Sequence, residues 1–169
     1  MLRTRALSAV VLIPLVAGAT YAGGWILAAL VLVAVVLAAR EFLSLMADAG
    51  YRPSLAVCVL VIVALLVIAR LPDLDLLGLV LALSVIGTLI WQLLRPAEGL
   101  PTQSWALSLG AALWLGYLAS FFVQIRDLSP EFGLGLGTRW LVMVFLVTWI
   151  NDSAAYFVGK AIGKHHCCP

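Results

Sequence analysis

Asp152 carries the chemistry most at odds with its surroundings. It lies in Trp149-Ile-Asn-Asp-Ser-Ala-Ala-Tyr-Phe-Val-Gly-Lys160, within an apolar stretch that reads as a helix. An acidic residue at a bilayer centre costs ~2.5–3.5 kcal/mol on insertion scales, and less toward a helix end. Asn151 and Ser153 flank it and add two more polar groups. Ionisable groups inside a membrane mark function by default; the structural alternative is an interhelical hydrogen bond made for stability. Asp152, Tyr156 and Lys160 fall at i, i+4 and i+8, on a broadly shared helical face. Lys164 extends the row after a drift of about a third of a turn. A carboxylate is a hard oxygen ligand for Mg2+, which uses one or two carboxylates together with substrate phosphates. Lysines act on phosphate as point charges. The row suits a substrate whose phosphate sits at headgroup level and whose tails lie in lipid. Lysines at a cytoplasmic helix end are equally expected from topology alone.

The remaining ionisable groups carry less. Arg40 and Glu41 are expected to close the second span as an interfacial anchor and helix-end pair. Asp73 and Asp75 suit the N-terminal dipole of the fourth helix. Arg126, Asp127 and Glu131 are expected in a loop, facing water. Of three cysteines, Cys58 sits in an apolar run, where free cysteine behaves as a small hydrophobe. His165-His166-Cys167-Cys168 reads as a frayed tail, with no spacing that forms a zinc site or a disulfide framework.

These groups need a scaffold, and the composition dictates its solvent. The 169 residues are 64% hydrophobic and 11% charged, with a mean hydropathy of +1.16. Soluble domains are about 25% charged, and a water-soluble globule of this size could not hide so much apolar surface. A cytosolic globular enzyme, a disordered tail, a disulfide scaffold and a nucleic-acid-binding domain are thereby excluded. The net charge of +2 is too small to call for a polyanionic partner. The expected fold class is all-α: a polytopic transmembrane bundle of about six helices forming one integral membrane domain over residues 1–169.

Hydropathy outlines spans at Ala6–Tyr21, Trp25–Ala39, Ser54–Ala69, Leu74–Leu94, Ser104–Val123 and Arg139–Val158. A crossing helix needs ~20 residues. The first three spans fall short, so their helices are expected to extend into the interface or to thin the bilayer. Met1-Leu-Arg-Thr-Arg5 followed by apolar residues also resembles a signal peptide. The next span begins almost at once, which favours a retained first helix.

Alternating the spans from a cytoplasmic N-terminus puts Arg3, Arg5, Arg40, Arg52, Arg95, Lys160 and Lys164 in the cytoplasm. Arg70, Arg126 and Arg139 fall on the far side. The bias supports an N-in, C-in arrangement. No hydrophilic stretch is long enough for a soluble domain, so chemistry is confined to the membrane surface or the space between helices.

Ser104, Ser108, Ala112, Gly116 and Ser120 repeat every four residues, a pattern that lets two backbones approach closely in lipid. Such a row drifts around a helix of 3.6 residues per turn, so its partner is expected to cross at an angle. Asn151, Ala155, Gly159 and Gly163 form a second row, also read as close packing. Gly133-Leu-Gly-Leu-Gly137 follows no strand and reads as a turn, not a phosphate cradle.

The stretch Asp152-Ser-Ala-Ala-Tyr156-Phe-Val-Gly159-Lys160-Ala-Ile-Gly163-Lys164-His165 resembles the D-[ST]-x-A-Y-x-x-G-[RK]-x-x-G-[KR] element of the phosphatidate cytidylyltransferases, the CDP-diacylglycerol synthases. The basic start with Pro14, and Arg40-Glu41-Phe42 before a leucine-rich turn, are similar to the family's first helix and second-helix exit. The layout matches throughout, but only Asp152–His165 is specific. Family members continue with S-P-x-K-[ST], further helices and a late S-x-x-K-R…K-D…H-G-G…D-R-x-D signature, to which nothing before Pro169 corresponds. The resemblance therefore implies the N-terminal part of a longer enzyme, inactive by itself.

What the resemblance implies is the reaction CTP + phosphatidate → CDP-diacylglycerol + pyrophosphate, with Mg2+ as cofactor, in phospholipid biosynthesis. Asp152 and Lys160 become the candidate catalytic residues, with Asp152 as the metal-associated or lysine-orienting carboxylate. Lys164, Asn151, Ser153 and Tyr156 become the candidate phosphate- and substrate-binding group. The partners are membrane phosphatidate and CTP, without nucleic acid; a homodimer is left open. The expected location is a bacterial inner membrane with the active side cytoplasmic. The alternatives are a CTP-dependent lipid kinase similar to dolichol kinases, and a non-enzymatic transport or assembly protein.

Overall fold

The computed structural model describes residues 2–94, 100–128 and 134–163, with side chains from residue 10 onward. Among the described residues there are six helices and no strand: α1 (Leu2–Ala22), α2 (Gly24–Asp48), α3 (Leu55–Ala69), α4 (Leu77–Leu94), α5 (Pro101–Asp127) and α6 (Leu136–Ile162). The all-α expectation holds. Helices are what an apolar chain must form in lipid, where every backbone N–H and C=O has to be satisfied within its own segment.

α2, α4, α5 and α6 are long and apolar enough to cross a membrane, and the chain is an integral membrane protein. α2 lengthens as expected: it runs through Arg40 and Glu41 to Asp48. Those two residues therefore lie within a helix and do not close one. The short α3 does not lengthen. Its 15 residues rise about 22 Å, against a hydrocarbon core of about 30 Å. α3 packs on α2, α4 and α5, and Cys58, Val61, Ile62, Leu65 and Leu66 are buried there against Val35, Ala39, Ala111 and Ala112. Its other face, with Leu55, Leu60, Val63 and Val67, is exposed. Ahead of α4, a 3-10 turn (Pro72–Leu74) carries Asp73, and a left-handed Asp75 (φ 44°) follows it.

The first small-residue row is a packing face. Ser104, Ser108, Ala112, Gly116 and Ser120 are all buried, and a methyl group on Gly116 would stand 2.9 Å from Ile62 Cγ1. The drift of a four-residue row is offset by a π-helical turn at Ala112–Tyr117. Its wider i→i+5 turns rotate less per residue. The two serines nearest the start of α5 also do polar work. Ser104 Oγ accepts the backbone N–H of Arg52 at 2.9 Å, and Ser108 Oγ accepts that of Ser54 at 2.8 Å. Backbone N–H groups of the segment leading into α3 are thus satisfied by side chains of a neighbouring helix.

At the opposite end, five helix termini meet. α1 turns directly into α2 at Gly23 (φ 66°), a left-handed conformation that only glycine adopts cheaply. The Arg126 side chain, 1% exposed, donates from Nε to the Thr20 carbonyl at 2.8 Å and from Nη2 to the Tyr21 carbonyl at 3.1 Å. Asp127 pairs with Arg70 at the end of α3, and Arg70 lies 5.3 Å from the Trp25 ring centroid. Gly137 in the first turn of α6 comes so close to the Ile125 and Arg126 carbonyls that any side chain would collide with them. The expectation that Arg126 and Asp127 face water is therefore corrected. A cation aimed at the carbonyls ending a helix meets the negative end of its dipole, which makes burial of Arg126 affordable. Glu131 and Gly133 lie outside the described residues.

Candidate functional site

The candidate residues lie on α6, held at its N-terminal half alone. α6 packs on α5 and α1: Thr138 and Leu141 are buried, and Leu141 joins Ala19 and Leu27 in a small core. Phe122 of α5 stacks on Phe145 (5.5 Å, 11°), which stacks on Trp149 (5.9 Å, 18°). This aromatic ladder ends one turn before Asp152. Its two α6 rings stand four residues apart, a spacing visible in the sequence.

Beyond the ladder the helix stands clear of the bundle. Every described residue from 146 to 163 is exposed. Asn151, Asp152, Ser153, Tyr156 and Lys160 all project from this segment, with Tyr156 58% exposed and edge-to-face with Phe157. The helix continues unbroken from Asp152 through Tyr156 to Lys160, so the three share the face that their spacing predicts. Lys160 lies in the last turn, where its charge complements the negative end of the helix dipole. Lys164 and the His165–Cys168 tail lie outside the described residues.

The second small-residue row differs from the first. Asn151, Ala155 and Gly159 are exposed, and nothing lies within 4 Å of a methyl group placed on Gly159. The expected close packing is not made by the described part of the chain.

Among the described residues, no three His, Cys, Asp or Glu side chains come together. A metal on α6 could take Asp152 alone from these residues. Mg2+ accepts such a site when substrate phosphates complete its shell, so the donor chemistry fits an ion brought in with a phosphate-bearing substrate.

The arrangement thus offers a carboxylate, a phenol and an ammonium group along one unpacked helical face, about 12 Å from the first to the last along the axis. A carboxylate held there against hydrocarbon would be costly without a partner. The face is chemically suited to a polar, phosphate-bearing ligand at the edge of the membrane.

A model of the cytidylyltransferase family matches residues 3–169. The phosphatidate cytidylyltransferase of Bacillus subtilis (strain 168) is 37% identical over 59 residues, which are 35% of this chain and 20% of that protein. The aligned region thus spans a fifth of the curated relative's length. No solved structure matches the chain.

Proposed function

The chain belongs to the cytidylyltransferase family, and from that membership we propose that it serves the transfer of a cytidylyl group from CTP to phosphatidate. The carrying observation is the Asp152–Tyr156–Lys160 row on the unpacked half of α6. The name of the Bacillus subtilis relative, which specifies phosphatidate, supports the choice of acceptor.

In this reaction an oxygen of the phosphatidate phosphate attacks the α-phosphorus of CTP. A new P–O bond forms, the bond from the α-phosphorus to the bridging oxygen breaks, and pyrophosphate leaves. Transfer at phosphorus demands charge neutralisation and alignment more than covalent help. Lys160 holds a phosphate at the membrane edge. Lys164 is assigned to the same task one turn further on. Asp152 is the residue that would hold Mg2+, an ion that would neutralise phosphate charge. Asn151, Ser153 and Tyr156 supply hydrogen bonds around the headgroup.

We place this face on the cytoplasmic side of a bacterial plasma membrane, where CTP is supplied. The charge bias supports that side. The three cations assigned to the opposite surface all have structural partners: Arg70 on Asp127, Arg126 on Thr20 and Tyr21, and Arg139 Nε on the Leu134 carbonyl at 3.1 Å.

The test is product analysis with purified protein, CTP, Mg2+ and phosphatidate, run alone and with the C-terminal part of a related cytidylyltransferase supplied as a second chain. Pyrophosphate and CDP-diacylglycerol in equal amounts support the proposal. CDP in place of pyrophosphate would assign a lipid kinase. Neither product in either run, beside an active intact relative, would refute it.

A further inference from the structure

α2 and α6 leave one junction side by side. Gly23, just before α2, abuts the Arg126 guanidinium, and Gly137 in the first turn of α6 abuts the Arg126 carbonyl. Leu27 of α2 and Leu141 of α6 are buried in one small core, with Val31 and Phe145 packed against it. The two helices therefore run parallel from a common start, and α6 stands clear only beyond Phe145 and Trp149. We propose that Glu41 of α2 is the second carboxylate of the divalent-cation site that Asp152 begins, completed when the unpacked half of α6 closes on α2. The assignment rests on the function proposed for Asp152 and extends it to a second helix.

The two sequences keep the same register. After Leu27 and Val31, α2 carries Ala34, Ala38, Glu41 and Leu45. After Leu141 and Phe145, α6 carries Thr148, Asp152, Ala155 and Gly159 at the same intervals. Alternating steps of four and three residues keep one face of a helix toward a parallel neighbour. Both helices are unbroken over these positions. The first two residues of each series are covered or half-covered, and the last four of each are exposed. Matched in order, every larger side chain meets a small one: Thr148 meets Ala34, Asp152 meets Ala38, Glu41 meets Ala155 and Leu45 meets Gly159. Such pairing lets two backbones approach closely in lipid. The open faces of α2 and α6 are thus continuations of the faces already joined at the junction.

Closure sets two carboxylates in one layer. Their levels differ by three residues of rise, about 4.5 Å. Glu41 lies about 26 Å along α2 from Gly24 and Asp152 about 24 Å along α6 from Leu136, both short of the ~30 Å that a hydrocarbon core spans. Neither side chain has a hydrogen-bond or ion-pair partner among the described residues. Arg40 points about 100° around α2 from Glu41, and Lys160 stands about two turns beyond Asp152. Two carboxylates so placed cannot both stay ionised without a cation between them. Mg2+ is bound through one or two carboxylates and completes its shell with water and substrate phosphate. Glu41 supplies the protein ligand that α6 lacks.

The test uses the whole protein in phosphatidylcholine nanodiscs with Mn2+ alone as the probe, its binding followed by electron paramagnetic resonance. Saturable binding of one Mn2+ is expected. Glu41→Gln and Asp152→Asn are each expected to weaken it about tenfold or more. The double variant is expected to lose less than the two effects combined, because the residues share one ion. Asp73→Asn, at the opposite end of the bundle, is expected to leave binding unchanged, and Glu41→Asp to retain part of it. Closure is read separately in an Ala34→Cys, Thr148→Cys protein, by mass-spectrometric mapping of a disulfide between the two positions. Mn2+ is expected to speed its formation, and Glu41→Gln to abolish that acceleration. Binding weakened by Asp152→Asn but not by Glu41→Gln would overturn the pairing and leave the assignment of Asp152 intact. No saturable Mn2+, or no link between positions 34 and 148 under either condition, would also overturn it. Glu41-dependent Mn2+ binding in a protein that forms no CDP-diacylglycerol would support the paired site and count against the proposed reaction.

Discussion

The Arg126 guanidinium donates from Nε to the carbonyl oxygen of Thr20, 106 residues earlier in the chain, at 2.8 Å. This bond ties the end of α5 to the end of α1, and Gly23 leaves room for it. Removing one partner of a charged, buried hydrogen bond costs roughly 1.5–3 kcal/mol, more when other groups are stranded. Arg126→Ala is expected to lower the melting temperature in detergent clearly. Arg126→Lys is expected to recover part of the loss, because an ammonium cannot reproduce the forked geometry that reaches two carbonyls. An Arg126→Ala protein as stable as wild type would show that the junction is held by other contacts.

Gly23→Ala tests the same junction from the other side. The new methyl group would lie 2.7 Å from Arg126 Cζ, at a φ of 66° that L-residues rarely adopt. The conformational cost alone is of order 1–3 kcal/mol, with the displaced arginine in addition. In a double-mutant cycle, Gly23→Ala is expected to cost less in the Arg126→Ala background, because only the conformational part remains. Equal cost in both backgrounds would remove the steric link.

Serines of the buried row are expected to differ although all three are covered. Ser104→Ala and Ser108→Ala each remove an acceptor for a backbone N–H of the α2–α3 connection, at about 1 kcal/mol apiece. Ser120 Oγ donates within its own helix, to the Tyr117 carbonyl, and accepts from Gln124. Ser120→Ala should be milder. Chemical unfolding in mixed micelles provides the ranking, and Ser120→Ala proving the costliest would contradict it.

Gly116→Val is an overpacking test. The Cβ lies 2.9 Å from Ile62 Cγ1 and 3.3 Å from Ile62 Cα, so the helices must separate, at about 1–3 kcal/mol. Ile62→Ala removes the side-chain clash and leaves the backbone approach, so partial rescue of thermal stability is the expected result.

Asp152→Asn separates function from folding. Its side chain is exposed on an unpacked helix, so the melting temperature should hold. Loss of a metal-associated or orienting carboxylate typically costs 10–100-fold, and CTP-dependent formation of CDP-lipid is expected to fall at least about tenfold. Unchanged turnover, measured in the two-chain assay above, would take Asp152 out of the reaction.

Much of this architecture was legible in the residues. Apolar runs without strand alternation leave lipid-embedded helices as the only backbone solution. A four-residue repeat of serine, alanine and glycine identified the buried face of α5. The i, i+4, i+8 spacing alone places Asp152, Tyr156 and Lys160 on one face. These features are local: helix geometry alone relates residues a few positions apart.

Tertiary structure decided what each face meets. Arg126 sits at a helix end beside a polar connection, which by itself reads as a solvated charge. Only the arrival of the α1 carbonyls turns that position into a buried cap. The rows on α5 and α6 look alike as patterns, yet one is packed on Ile62 and the other stands open. Periodicity fixes which side chains point the same way. Whether a neighbour covers them depends on contacts between residues distant in the chain, and those exist only after the helices assemble.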